Sequence, residues 1–455
     1  MKSFLDTAAT KTMADFRPLR GWRYDPAKID FQKVMAPPYD VISPTQQEKL
    51  YGRSPYNCIR LILNKIENSD TPDSNRYARA RNFYETWKKE GVLTQEKEPC
   101  FYLYRQTFKH PEKGILLERS ALLGRVKLEP FEKGIVIPHE KTLSRPREDR
   151  KKLLEATHTN FSPVFGLYQD PQGEVKSILN GVDQEPPLFE AVDEEGVRHR
   201  VWVISGFQQM EHLHQQFSSH KIYIADGHHR YQTALEYNRE VRHRQNTPEA
   251  GELLSDFVLM ALVEFEDPGL VLLPTHRMVL PYAAFPANPL EALKKYFDVQ
   301  LVDRHCEEAV GRRSNPDSEI ASLPSVARND ISFTLVLGRD HYQLTLRDFA
   351  AAKREMPQGK PGIWYRFDLN VLAHLVFARL WNLPESEWEN VLRFTHHAPE
   401  AIEAVKSGKA KAAFLIQAPR TQLLQEMGEA GQLMPQKSTY FYPKLASGIV
   451  FYSHH

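Results

Sequence analysis

At residues 221–230 the chain reads Lys-Ile-Tyr-Ile-Ala-Asp-Gly-His-His-Arg. The apolar run at 221–225 predicts a short strand, and Asp226-Gly227 has the composition of a tight turn. Beyond the turn, Tyr231, Ala234 and Leu235 fall at i, i+3 and i+4, which indicates a helix with one apolar side. The stretch therefore predicts a strand that breaks at Asp-Gly and continues directly into a helix.

This turn brings several polar groups to a helix N-terminus. Free backbone N–H groups and the helix dipole favour an anion there, and phosphate is the natural ligand. Gly227 allows close approach of the backbone, and Arg230 can bind phosphate oxygens with two N–H groups. His228 and His229 can donate hydrogen bonds or carry a proton. Asp226 can bind Mg²⁺ or accept a substrate proton.

Two other interpretations of the same residues remain open. Asp226 could simply cap the helix, leaving the histidines on its exposed first turn. A metal site built from Asp226, His228 and His229 is disfavoured, because adjacent histidines on a helix point in different directions.

A second group of charged residues follows a predicted strand at 120–128. Prolines at 130, 138 and 146 indicate a rigid loop in this region. Glu129 closes the strand and is the candidate general base, and a solvated charged loop is the alternative. The phosphate-binding candidates here are Arg147 and Arg150, and the substrate-side candidates are Glu132, His139 and Glu140.

The second half of the chain carries weaker signals. His276 and Arg277 follow Leu-Pro-Thr and are further substrate-side candidates. Lys437 and Lys444 are single basic residues of the kind that usually lie on surfaces.

Size and charge limit the classes of protein to consider. A chain of 455 residues is longer than single cores usually grow, which predicts two domains, at 1–290 and 291–455. The net charge of +1 makes a nucleic-acid partner unlikely. The three cysteines are scattered along the chain, which favours a reducing compartment. The sequence shows no signal peptide and no run of about 20 apolar residues, so we expect a cytoplasmic protein without membrane contact. No phosphate-loop or dinucleotide fingerprint occurs in the sequence.

Local patterns predict the remaining elements. Residues 16–43 are rich in proline and aromatics and are expected to form an extended arm. Polar residues 303–330 are expected to form a flexible connection. Strands are expected at 57–63, 100–108, 120–128, 164–168, 200–204, 256–265, 332–338 and 341–346, and helices at 74–91, 207–217 and 367–381.

Five motifs in the same order resemble the bacterial and archaeal family catalogued as domain of unknown function 1015 (DUF1015). They are Ala36-Pro37-Pro38-Tyr39-Asp40-Val41-Ile42, Pro138-His139-Glu140-Lys141-Thr142, Ala225-Asp226-Gly227-His228-His229-Arg230, Thr275-His276-Arg277 and Pro435-Gln436-Lys437-Ser438-Thr439-Tyr440-Phe441-Tyr442-Pro443-Lys444. That family resembles, more distantly, the partition-protein B (ParB)/sulfiredoxin superfamily, which includes free-serine kinases.

This resemblance implies an α+β fold, with a ParB/sulfiredoxin-like N-terminal domain and a second, smaller α/β domain. It also implies a kinase that uses Mg²⁺ and ATP or ADP to phosphorylate free L-serine or a similar small metabolite. By the same likeness, residues 227–230 would hold the nucleotide phosphates and Glu129 would deprotonate the acceptor hydroxyl.

Three alternatives to a kinase follow from the same site. They are a nucleotide-dependent DNA clamp, a phosphate-ester hydrolase that uses water as nucleophile, and a metabolite sensor that binds nucleotide without turnover. The near-zero net charge counts against the clamp.

Overall fold

The structure of this protein is a computed structural model that describes residues 13–140, 144–218, 220–245, 251–302 and 331–455. The expected connection at 303–330 lies outside the described residues, as do Lys141 and Thr142. Among the helices of the described ranges, none is both long enough and apolar enough to cross a membrane.

The strands account for most of the framework. They are β1 (Phe16–Arg17), β2 (Trp22–Tyr24), β3 (Leu93–Gln95), β4 (Phe101–Lys109), β5 (Leu116–Lys127), β6 (Val136–Ile137), β7 (Thr159–Asn160), β8 (Val164–Tyr168), β9 (Phe189–Val192), β10 (Arg198–Ile204), β11 (Ile222–Asp226), β12 (Phe257–Glu264), β13 (Val271–Leu273), β14 (His276–Val279), β15 (Phe297–Val302), β16 (Ser332–Leu337), β17 (Asp340–Leu346), β18 (Leu392–Thr395), β19 (Ala412–Leu415), β20 (Tyr440–Tyr442) and β21 (Tyr452–Ser453).

The helices lie between these strands. They are α1 (Phe31–Val34), α2 (Pro44–Arg53), α3 (Ile59–Ile62), α4 (Arg76–Lys89), α5 (Ser144–Thr157), α6 (Glu174–Val182), α7 (Phe207–Phe217), α8 (His228–Gln245), α9 (Pro289–Lys294), α10 (Phe349–Glu355), α11 (Gly362–Arg366), α12 (Asp368–Asn370), a π-helix (Val371–Leu380), α13 (Trp388–Val391), α14 (Ala398–Lys406) and α15 (Thr421–Glu429).

The strand expected at 57–63 is wrong, because this segment forms the short helix α3. The buried side chain of Asn57 explains the difference. Its Oδ1 accepts the Ile59 N–H at 3.0 Å, and its Nδ2 donates to the carbonyls of Lys33 and Met35. A side chain that binds the backbone two residues later favours a turn over an extended chain.

The first sheet has the order β6-β11-β8-β12-β5-β4-β10-β9, and β1 pairs with β5 beside this path. β12 lies near its centre and is buried along nearly its whole length, as its continuous apolar sequence requires. Two pairs, β11 with β6 and β12 with β8, are parallel. This mixture of strand directions and helices is the α+β fold that was expected for the N-terminal part.

The second sheet has the order β15-β17-β16-β19-β14-β18. All of its pairs are antiparallel, so the α/β character predicted for this part is corrected to α+β. The tight turn between β16 and β17 forces an antiparallel pair, because parallel strands need a long crossover.

The chain passes between the two sheets more than once. β14 belongs to the second sheet although it precedes residue 290. Near the end of the chain, β20 pairs with β13 and β21 pairs with β7. The division of the chain at residue 290 stays a prediction.

Candidate functional site

The turn between β11 and α8 forms as the sequence predicts. β11 ends at Asp226, and α8 begins at His228. Gly227 has a φ of +89°, an angle that residues with a Cβ rarely adopt. A Cβ at this position would also lie 3.0 Å from the guanidinium carbon of Arg230. Glycine is therefore required both by the backbone angle and by the close packing of Arg230.

The N-terminus of α8 is suited to an anion. The first N–H groups of a helix have no carbonyl acceptor within the helix. In α8, the Tyr231 N–H donates to the Gly227 carbonyl, which closes the first turn of the helix. Asp226 Oδ1 accepts the Gly227 N–H at 2.7 Å, a bond to the residue that precedes α8, so this bond does not cap an N–H group of the helix itself. Because α8 is 18 residues long, its dipole adds to the attraction for negative charge.

The other oxygen of Asp226 is held by a residue from the end of the chain. Lys444 Nζ donates to Asp226 Oδ2 at 2.7 Å. Burial alone would raise the pKa of Asp226, but Lys444 and Arg230 lower that pKa well below its usual range. Burial opposes the charge of Lys444 as well, yet Asp226 raises the pKa of its ammonium. The two residues form a charged pair at the wall of the site.

These contacts do not fit the role of Asp226 as a magnesium ligand. Both of its oxygens are occupied, and the ammonium of Lys444 lies beside one of them. Mg²⁺ needs accessible oxygen ligands in a nearly octahedral arrangement. Across the described ranges, no group of three or more His, Cys, Asp or Glu side chains could hold a metal ion. We therefore derive no step in which Asp226 binds a metal.

His228 has a structural contact instead of a free ring. The backbone N–H of His139 donates to His228 Nε2 at 3.2 Å, and the two rings lie 4.7 Å apart. Burial, and secondarily the charge on His139, lowers the pKa of His228 to about 3. A ring that is neutral near pH 7 and accepts a backbone hydrogen bond is poorly suited to the predicted role of proton carrier. Burial and Lys437 also lower the pKa of His229, which lines the cavity described below.

Glu140 joins the N-terminal part of the protein to the C-terminal segment. Its Oε1 accepts hydrogen bonds from the Ser438 N–H at 3.0 Å and the Thr439 N–H at 3.1 Å. Burial opposes its charge, but His139 above all lowers the pKa of Glu140 to about 2. Glu140 is therefore an ionised acceptor, and its Oε1 holds the backbone at Ser438 and Thr439.

A cavity of about 80 Å³ lies against the N-terminus of α8. Asp40 is an exposed carboxylate in its wall, and no described residue forms a hydrogen bond or salt bridge with its side chain. The lining residues are Tyr39, Asp40, Glu140, Asp226, Gly227, His228, His229, Arg230, Gln436 and Lys437.

Several predicted site residues lie outside this cavity. Glu129 accepts a hydrogen bond from Lys133 Nζ at 2.7 Å, and Glu132 is exposed in the turn Phe131–Lys133. Arg147 pairs with Glu236 at 3.5 Å on the protein surface. None of Glu129, Glu132 and Arg147 lines the cavity, although the backbone N–H and carbonyl of Glu129 are hydrogen-bonded to the hydroxyl of Tyr231, which follows Arg230.

Three other predicted residues do not line the cavity, but two of them contact residues that do. The Arg150 guanidinium stacks on the Tyr39 ring at 3.9 Å and donates to the Ile62 carbonyl. His276 Nδ1 accepts a backbone N–H, and burial lowers the pKa of His276 to about 4. Arg277 is buried and donates to the Lys437 carbonyl at 3.0 Å.

Sequence reasoning missed five residues of the site as candidates. They are Tyr39, Asp40, Gln436, Lys437 and Lys444. Tyr39, Asp40 and Gln436 lie in motifs that had been noted only for their resemblance to a family, whereas Lys437 and Lys444 had been noted as single basic residues of the kind that usually lie on surfaces. Their distance along the chain from residues 226–230 hides their proximity in space.

A larger cavity of about 360 Å³ lies on the other side of Lys444. Pro38 and Val41, which flank Tyr39 and Asp40, line this cavity together with apolar residues of the N-terminal arm. Residues 38–41 therefore border both cavities, with Tyr39 and Asp40 in the smaller one and Pro38 and Val41 in the larger one.

Three solved structures are similar to this chain at low identity. A free serine kinase in complex with AMP is 13% identical with a TM-score of 0.34, and the match covers 70% of this chain and 86% of that one. A conserved hypothetical protein from Pyrococcus furiosus is 14% identical with a TM-score of 0.33, covering 70% and 91%. SbnI from Staphylococcus aureus with a C-terminal truncation is 8% identical with a TM-score of 0.33, covering 71% and 85%. We base no argument on scores this low.

No curated protein matches the chain significantly. The family described as "Protein of unknown function (DUF1015)" matches residues 16–370, which is more than half of the 455 residues. This chain therefore belongs to the DUF1015 family.

Proposed function

We propose that this protein is a phosphotransferase that moves a phosphoryl group from ATP or ADP to the hydroxyl of a small metabolite. The observation that carries the proposal is the cavity at the start of α8, where two cations, Arg230 and Lys437, lie beside the carboxylate of Asp40. Phosphoryl transfer depends mainly on positioning and on neutralising charge. We also propose that the N-terminal part has a ParB/sulfiredoxin-like fold.

The donor phosphates would bind at the N-terminus of α8. The Arg230 Nη1 group donates to the Pro163 carbonyl, which fixes the plane of the guanidinium against Gly227. Its remaining N–H groups and the first N–H groups of α8 would then bind the phosphate oxygens. A cavity of about 80 Å³ accommodates phosphate but not a whole nucleotide, so the nucleoside would lie outside it.

Asp40 replaces Glu129 as the proposed general base. Asp226 and Glu140 also line the cavity, but both oxygens of Asp226 already accept hydrogen bonds, from Gly227 and Lys444. Glu140 holds two backbone N–H groups through Oε1, and its pKa, lowered to about 2, makes it a weak base. In the proposed step, the acceptor hydroxyl gives its proton to Asp40 as its oxygen bonds to phosphorus. The bond between that phosphorus and the leaving nucleotide oxygen breaks.

The acceptor would reach Asp40 from the larger cavity. Free L-serine is the first candidate, through the resemblance to free-serine kinases. A cavity of about 360 Å³ is within the range that holds much larger ligands, so it leaves space beyond an amino acid. We therefore include a seryl dipeptide beside L-serine in the assay below.

The test is an assay of nucleotide turnover and acceptor phosphorylation with the magnesium salts of ATP or ADP. Arg230→Ala removes a phosphate-binding cation and is expected to lower kcat/KM by about 100-fold or more. Asp40→Asn removes the base and is expected to lower kcat by about 100-fold, with nucleotide affinity unchanged. Arg239→Ala is the matched control, because Arg239 is an exposed arginine on the same helix.

The alternatives give different results in the same assay. Phosphate release without any acceptor would identify a hydrolase. Nucleotide binding that is lost in Arg230→Ala, without turnover of any substrate in the wild type, would identify a sensor and contradict the kinase. DNA binding with a steep salt dependence would favour the clamp. A cytoplasmic location stays a prediction from sequence.

A further inference from the structure

The backbone of Lys437 has an unusual conformation. Its φ of +57° lies in the left-handed region, which residues with a Cβ rarely occupy. Such a conformation persists only where the surrounding structure determines it, and it is concentrated at functional sites. Lys437 lies in the segment that lines the cavity next to α8.

Three hydrogen bonds hold the peptide groups around Lys437. Arg277 Nη2 donates to the Lys437 carbonyl at 3.0 Å. On the next two residues, the N–H groups of Ser438 and Thr439 both donate to Glu140 Oε1. These bonds come from distant parts of the chain, since Arg277 belongs to β14 of the second sheet and Glu140 follows β6 of the first.

Burial of Arg277 indicates that its contact has a specific role. The residue is only 4% exposed, and its guanidinium lies 5.5 Å from the centre of the Phe394 ring. Its hydrogen bonds go to the carbonyls of Thr275 and Lys437. Burying a cation is costly unless it is well compensated. A buried arginine whose hydrogen bonds go to two backbone carbonyls therefore indicates that holding these carbonyls in place is important.

The side chain of Lys437 is available for a ligand. Within the described ranges, its ammonium forms no hydrogen bond and no salt bridge. Its charge nevertheless lowers the pKa values of Glu140, Asp226 and His229, which all line the cavity. Lys437 is an exposed residue in the lining of the cavity, so its ammonium can reach a ligand that binds there. Lys444 differs, because its ammonium is paired with Asp226.

We propose that Lys437 is the catalytic cation that contacts the transferred phosphoryl group, and that Arg277 and Glu140 are positioning residues that hold its backbone in the left-handed conformation. This inference rests on the proposed phosphotransferase function. It gives the second sheet a part in catalysis, because β14 supplies one of the two anchors. The ammonium would neutralise charge on the phosphoryl oxygens as the donor bond breaks.

Lys437→Gly and Lys437→Met separate the ammonium from the backbone. Glycine adopts the left-handed angle without strain, so Lys437→Gly should melt at or above the wild-type temperature. Both variants should nevertheless lose about 100-fold in kcat, with a smaller change in KM, and ethylamine should restore part of the kcat of Lys437→Gly. Wild-type kcat in Lys437→Gly or Lys437→Met would overturn the inference, even if Arg230→Ala still abolished turnover.

A double-mutant cycle tests the positioning residues. Arg277→Lys keeps the charge but loses the geometry of the guanidinium, and should lower kcat about 10-fold in the wild-type background. In the Lys437→Met background it should have little further effect, because no ammonium remains to be positioned. Glu140→Gln should behave in the same way if Arg277→Lys fails to fold. Effects on kcat that multiply independently would overturn the positioning role, and a wild-type protein without turnover would overturn the proposed function and this inference together.

Discussion

Asp226 and Lys444 are 218 positions apart in the chain, and their side chains form a 2.7 Å ion pair at the wall of the cavity. The pair joins the strand–turn–helix unit to the C-terminal segment. One residue was predicted as a magnesium ligand and the other was expected at the surface, and neither expectation agrees with this contact.

Removing one member of this pair should destabilise the protein. Lys444→Met leaves the Asp226 carboxylate without its cation, and we expect a loss of about 2 kcal/mol in the free energy of unfolding. The loss stays below that of a fully buried pair, because 25% of the Asp226 side chain is exposed. Urea denaturation at pH 7 measures it.

The control for that measurement is Lys133→Met. Lys133 is paired with Glu129 at the surface and its side chain is 59% exposed, so its loss should change stability by less than about 0.5 kcal/mol. Adding Asp226→Asn to Lys444→Met should recover part of the stability. Equal losses in Lys133→Met and Lys444→Met would show that the Asp226–Lys444 pair contributes no more to the free energy of unfolding than an exposed pair does.

Gly227→Ala should damage both folding and nucleotide binding. The φ of +89° strains any residue with a Cβ, and the added methyl group would force the Arg230 guanidinium to shift, so we expect a loss of about 1–2 kcal/mol in stability. Displacement of Arg230 should also weaken nucleotide affinity, which isothermal titration calorimetry measures. Gly181→Ala in α6, where no atom lies within 4 Å of an added Cβ, should leave affinity unchanged and should not lower stability, because alanine favours a helix more than glycine does.

Glu140 should make stability depend on acid pH. Its folded-state pKa of about 2 lies below the ordinary value of 4.5, so the unfolded chain takes up this proton first as pH falls. Its contribution, about 3 kcal/mol from the shift, is complete above pH 5 or so and declines between about pH 4.5 and 2. Urea denaturation of the wild type and Glu140→Gln between pH 6 and 3 should show a flatter profile for the variant. Parallel profiles would contradict the assignment.

His228 should stay neutral throughout the physiological pH range. Its folded-state pKa of about 3 is below that of an unfolded histidine, so this residue stabilises the fold less as pH falls below about 6.5. The ring resonances of His228, assigned by comparison with His228→Gln in an NMR titration, should not move between pH 8 and 5. A midpoint near pH 6 would reopen its role as a proton carrier.

Elements with a strong local pattern were predicted well. α7 has the predicted bounds, β8 does too, and the hairpin of β16 and β17 lies where expected. The segment at 57–63 was the exception, because the hydrogen bonds of Asn57 override a composition typical of strands. The hydrogen bonds of a single buried side chain can decide whether such a segment forms a helix or a strand. The spacing of apolar residues along the sequence does not reveal those hydrogen bonds.

The surroundings of the Glu129 carboxylate could not be predicted from the neighbouring sequence. Its position at the end of β5 was read correctly, but its carboxylate pairs with Lys133 four residues later and lies outside the cavity. Asp40 lines the cavity instead, on an arm that is far from α8 in sequence. Which carboxylate meets the phosphate site depends on how the arm packs.

Sequence alone was sufficient for the strand, the Asp-Gly turn and the helix at 222–245, because these depend on side chains only a few positions apart. It was also sufficient for the expectation of an anion at the start of α8, since unsatisfied N–H groups follow from any helix start. Only the tertiary structure showed that Asp40, Lys437 and Lys444 meet that helix. Those contacts arise from burial of the arm and the C-terminal segment against two sheets, a long-range packing result that no local pattern encodes.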